Sequence, residues 1–162
     1  MKKRQHKHLR RFQPNPEADL ELASAKTIAR LLTSSDRRVV RVEHLKGVLS
    51  KLFWLTTEVH GKYTTRYRSA GVLMRPKAKV QHEHVITRKS LIHEALQEGA
   101  DIDAIFGKAV ACVVTVEEHE ALADVDAAAV GWDRYKAAGI VVYDFEPEEP
   151  APTDLGASPR RG

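Results

Sequence analysis

The sequence predicts an α+β fold with a mainly helical N-terminal half, and three observations predict it. Apolar residues recur at helical spacing through Leu20, Ile28, Leu31 and Leu32, then through Leu45, Val48, Leu49, Leu52, Phe53 and Val59. Ala109 to Val114 is a continuous apolar, β-prone run, the signature of a buried strand. Val80 to Ile86 alternates weakly and reads as a second strand. With 43% apolar residues, the 162-residue chain can close one core.

The elements follow in order. Residues 1–16 are basic, carry Pro14 and Pro16 and lack an apolar period, so a disordered arm is expected. A single α+β domain should occupy 17–145. Its first helix spans Leu20 to Leu32, and Ser34, Ser35 and Asp36 break it. A second runs from Glu43 until Gly61 closes it. Lys62 to Ala70 alternates cations with tyrosines and hydroxyls, which suits either an edge strand or a surface facing phosphates, with Tyr63 and Tyr67 free to stack on bases. Val72 to Pro76 is a short apolar turn or strand. Thr87 is placed to cap a helix over Arg88 to Glu98, stopped by Gly99, and Asp101 to Phe106 makes a brief helical turn. Thr115 and Glu118 have the spacing of a capping box and start a helix to about Ala123. Ala127 to Ala138 is expected to be helical, with Trp132 and Tyr135 as core anchors, and Ile140 to Phe145 to be a closing strand. From 146 to 162 the composition is that of a disordered acidic, Pro-rich tail.

The net charge of +4 is unevenly spread: residues 1–11 carry +6, 62–89 carry +7 and 90–145 carry −8. The basic blocks would draw an anionic partner, nucleic acid first among them, with DNA favoured, and the acidic half could meet a protein partner. Cys112 is the one cysteine, which excludes an internal disulfide and a Cys-rich zinc site and suits a reducing compartment. No membrane span or signal-peptide core is legible, so a cytoplasmic protein is expected.

The chemistry concentrates in two stretches. His82, Glu83 and His84 precede Arg88 and Lys89, and His119 follows in the capped helix. In an extended backbone Glu83 and His84 point to opposite sides, and His82 shares the side of His84. Glu83 with His119 would make a sparse site for a divalent ion (Mg, Mn, Zn or Ni), with open positions for water and phosphate oxygen. His84 is the expected base that takes a proton from water, with His82 as an auxiliary. Arg88, Lys89, Arg66 and Arg68 are expected to hold phosphate. His44, His60 and His93 read as surface or packing groups, and Cys112 as a buried small hydrophobe.

These residues resemble the HNH, or ββα-metal, nuclease superfamily. Glu83-His84-Val85-Ile86, a helix, an apolar strand and Val-Val-Thr-x-Glu-Glu-His119-x-x-Leu122 carry the resemblance, over about residues 80–124. It implies a β-hairpin crossed by one helix and a metal-dependent endonuclease cutting DNA or sometimes RNA. Glu83 would be the first metal ligand, His84 the base and His119 the helical ligand. The family's central Asn, which orients the base, has no counterpart at Val110 or Ala111. A group outside the motif, expected within Lys62 to Ser69, would have to orient His84. The alternatives are a non-catalytic nucleic-acid-binding protein with a degenerate HNH fold, and a protein-interaction module.

Overall fold

The computed structural model describes residues 7–146 and 151–152. Two long helices open the fold, α1 (Ala18–Thr33) and α2 (Val42–Glu58). The helical spacing in α1 is as expected, but its inward face is not. Ala18, Ala25 and Ala29 are buried, while Leu20 is 74% and Leu31 67% exposed. Small side chains let two helix backbones approach closely, so α1 turns its alanines to α2 and leaves Leu20, Ile28 and Leu31 outside, while Leu32 packs partly buried against the core as expected. α2 buries Leu45, Leu49, Leu52 and Phe53 as expected and leaves Val48 exposed.

The rest of the chain builds a mixed five-stranded sheet and five short helices among the described residues. In chain order these are β1 (Tyr67–Ser69), α3 (Ala70–Met74), β2 (Val80–His84), α4 (Arg88–Ala95), α5 (Ile102–Gly107), β3 (Ala111–Thr115), α6 (Val116–Ala123), α7 (Trp132–Ala137), β4 (Val142–Asp144) and β5 (Ala151–Pro152). The sheet order is β2-β3-β1-β4-β5. β3 is buried at every position, pairs antiparallel with β2 and parallel with β1, and is the spine of the domain. One apolar cluster joins α1, α2, α4 and α5 through Leu49, Phe53, Leu91, Ile105 and Phe106. A second lies between the sheet and the last two helices, with Cys112, Val114, Leu122, Tyr135 and Val142 at its centre. The protein is thus α+β with a helical N-terminal half. No helix among the described residues is long and apolar enough to cross a membrane.

Three further expectations are corrected. β1 is not an edge strand, because it lies between β3 and β4. Residues 72–74 belong to α3, capped by the Ser69 side chain, rather than to a strand. The helix expected from Ala127 begins only at Trp132: Asp126 accepts the amide of Ala128 at 2.7 Å in a local turn, and Gly131 adopts φ +60.

The expected arm is packed from residue 8 on. Phe12 is buried with its ring edge on His60 at 5.2 Å, and His8 contacts the Pro76 carbonyl at 3.1 Å. Arg68 holds this segment down. Fully buried, it lies 4.0 Å over the Phe145 ring and donates to the carbonyls of Thr65, His8 and Arg10. Residues 1–6 and most of the expected tail lie outside the described residues.

Candidate functional site

The site is built on β2, β3 and α6. β3 passes into α6 without a loop, because Thr115 ends the strand and caps the helix. Its hydroxyl accepts the Glu118 amide at 3.2 Å, and the Glu118 carboxylate accepts the Thr115 amide at 2.8 Å. The same carboxylate takes the Ser69 hydroxyl at 2.5 Å and the Gly71 amide at 3.2 Å, which ties α6 to the start of α3. His119 sits one turn into α6 and reaches across to β2.

On β2, adjacent residues face opposite sides of the sheet. Glu83 looks toward α6, and His119 Nδ1 lies 2.5 Å from its Oε2. A carboxylate accepts, so Nδ1 carries the proton and Nε2 is turned away from Glu83. The Glu83 side chain is 11% exposed and that of His119 46%. Arg134, in the first turn of α7, reaches the other carboxylate oxygen at 3.4 Å and the Leu122 carbonyl at 3.4 Å. The arrangement is a buried carboxylate, pinned from behind by a guanidinium, that orients a half-exposed imidazole.

His82 and His84 lie on the opposite side, against α2. Both rings meet one hydroxyl: Thr57 Oγ1 is 3.0 Å from His82 Nε2 and 3.1 Å from His84 Nε2. His82 Nδ1 lies 2.7 Å from the Lys62 carbonyl, which can only accept. Hydrogen-bond logic then assigns the tautomers. His82 carries its proton on Nδ1, which leaves Nε2 an acceptor; Thr57 Oγ1 lies 3.0 Å from both that nitrogen and the Trp54 carbonyl, which share its single proton, and the Thr57 oxygen accepts from His84 Nε2–H. The Trp54 ring covers the pair, 5.4 Å from His82 and 5.3 Å from His84. Burial lowers the pKa of both rings, and that of His84 falls to about 3, with His82 and Arg88 adding to the effect.

His84, the expected base, is directed away from Glu83 and His119, as alternation along β2 implied, and is bonded to Thr57 in a place where burial disfavours its protonation. The group that orients it is Thr57, outside the stretch expected to supply one. His82 shares its face and its seclusion.

The expected divalent ion fits the donor chemistry but not the donor set. Carboxylate and imidazole are ligand types that such ions accept. Among the described residues, however, no group of three or more His, Cys, Asp or Glu side chains gathers for an ion, and a guanidinium already meets the Glu83 carboxylate. Glu83 and His119 gather as a pair rather than as a donor set of three or more among the described residues.

The expected phosphate ligands divide. Lys89 is exposed, and Arg88 is half-buried, bonded to Ser50 at 3.0 Å and lying 4.8 Å over Trp54. Arg66 is engaged by Asp144 at 2.6 Å and by Glu146 at 2.5 Å, so two carboxylates of the protein already meet its charge. Arg68 is withdrawn altogether; burial lowers its pKa to about 10, and its donors serve backbone carbonyls. Tyr67, expected to stack on bases, packs edge-on against Trp132 at 5.2 Å.

Arg134, Thr57 and Trp54 were not singled out as site residues by sequence reasoning. Arg134 and Thr57 lie 51 and 27 residues from their partners. Comparison with protein-family models, with curated proteins and with solved structures finds no match to this chain.

Proposed function

We propose that this protein acts on phosphodiester bonds of nucleic acid, as the HNH-like resemblance implies, with His119 rather than His84 as the proton-transferring group. One observation carries the reading: Glu83 of β2 and His119 of α6, 36 residues apart, meet at 2.5 Å. A carboxylate on Nδ1 fixes the tautomer and stabilises the imidazolium that forms when Nε2 takes a proton. Water then attacks phosphorus, the bond to the leaving oxygen breaks, and His119 returns the proton to that oxygen. Arg134 keeps the Glu83 carboxylate oriented throughout.

A second reading is favoured by the enclosure of His84 and by the Arg134 contact. In it the protein binds nucleic acid on the same layout without cutting, and Glu83, His119 and Arg134 form a structural latch. The two separate in a cleavage assay on plasmid DNA, single-stranded DNA and RNA, with EDTA or with added Mg, Mn, Ni or Zn, using wild type and His119→Ala. Cleavage in EDTA that His119→Ala abolishes supports the first reading. Cleavage only with added metal overturns the metal-free role of His119. Binding without cleavage selects the second reading, and neither binding nor cleavage overturns both.

A further inference from the structure

Trp54 is the centre of a second feature, on the α2 side of β2. The Lys62 ammonium stands 5.1 Å from its ring centroid and 5.6 Å from that of Tyr63, so it sits between two aromatic rings. The Arg88 guanidinium lies 4.8 Å from the Trp54 centroid. Both cations are therefore within about 10 Å of each other across one indole. Lys62 is loosely paired with Glu58 at 4.0 Å, and among the described residues Arg88 has no carboxylate within salt-bridge distance and donates to the Ser50 hydroxyl. The Lys62 side chain is 46% exposed, and Trp54 and Tyr63 are half-buried. Beneath them, Thr57 and the two secluded imidazoles fix the floor.

Two cations, one unpaired with any carboxylate and one loosely paired, set against half-buried aromatic rings match a phosphate next to an unpaired base. The cations take the backbone and the rings take the base face, without reading its edges. A duplex keeps its bases stacked inside and offers this surface only phosphates. We infer that Trp54, Tyr63, Lys62 and Arg88 form a binding site for single-stranded nucleic acid. The inference rests on the reading that nucleic acid is the partner. β2 is the edge strand of the sheet, so the Glu83–His119 pair and this site lie on the two faces of one sheet edge.

The test is fluorescence anisotropy of a labelled fifteen-nucleotide oligothymidylate, with a duplex of equal length as comparison. It is run in EDTA on the full chain at low and moderate salt. Wild type, Trp54→Leu, the Lys62→Glu/Arg88→Glu double variant and His119→Ala are compared, each checked for folding by circular dichroism. The expected result is salt-sensitive binding of the single strand in preference to the duplex. It should weaken tenfold or more in Trp54→Leu and in the double variant, and by less in His119→Ala, whose ring lies on the other face of the sheet edge. Where Trp54→Leu does not fold, quenching of wild-type tryptophan fluorescence by unlabelled oligothymidylate takes its place. Trp132, packed between Tyr67 and Tyr135, should contribute little to that signal. Equal affinity for duplex and single strand, no loss in the double variant, no quenching, or no binding overturns the inference. Cleavage that fails while single-strand binding persists sinks the hydrolase reading and leaves this one standing.

Discussion

Thr57 holds two imidazoles with one hydroxyl, and that economy makes it sensitive. Replacing it by valine keeps the shape and removes a donor and an acceptor from beneath Trp54. Two ring nitrogens in a secluded place then lose their partner, a loss of about 1–3 kcal/mol. Urea unfolding of Thr57→Val should show a lowered midpoint with an unchanged slope. Arg68 is the other residue whose removal should be felt. In Arg68→Leu the carbonyls of His8 and Thr65 lose their donors, which costs about 2 kcal/mol or more. The segment around Phe12 should become the first site of limited proteolysis. A wild-type cleavage pattern in Arg68→Leu would show that this segment is held by other contacts.

At the scale of elements, the join between β3 and α6 was legible because every signal for it is local. Thr115 and Glu118 are three residues apart, and the capping box forms as the spacing implies. Thr115→Ala should destabilise the protein by about 1 kcal/mol in urea unfolding. Gly71→Ala tests the same join from the other side. A methyl group there would meet the Glu118 carboxylate, so the variant should lose stability although Gly71 lies in a helix, where alanine is ordinarily preferred. The phase of α1 was not legible in the same way. Helical spacing shows that a stripe exists, but whether leucines or alanines face the neighbour depends on how closely α2 approaches. β1 failed for a related reason. Alternation in Tyr67, Arg68 and Ser69 assigns faces, whereas its central place follows from pairing with β3, some 45 residues away.

Across the whole molecule, the candidate site was half legible. Alternation along β2 separates Glu83 from His82 and His84 as expected, while Glu83 meets His119 in a direct hydrogen bond where the expectation was shared ligation of an ion. What α2 would place over His84, and what α7 would place behind Glu83, came from elements carrying no site motif.

The enclosure has a consequence for pH. Histidines held neutral in the fold, with pKa values below the free value, favour folding above about pH 6.5. As pH falls below that, the unfolded chain takes up protons that the native rings refuse. Stability should decline progressively toward the native value of about 3 for His84. Urea midpoints at pH 7.5 and pH 5 should therefore differ, with the lower at pH 5. Equal midpoints in wild type would contradict the burial of these rings.

The division of the histidines by β2, one held by Glu83 and two locked against α2, is read most directly by long-range ¹H–¹⁵N correlation NMR of the imidazole rings near pH 8. The expected spectrum shows neutral His119 protonated at Nδ1, His82 at Nδ1 and His84 at Nε2. A proton on Nε2 of neutral His119, or His84 exchanging freely between tautomers, would contradict both the Glu83 contact and the Thr57 relay.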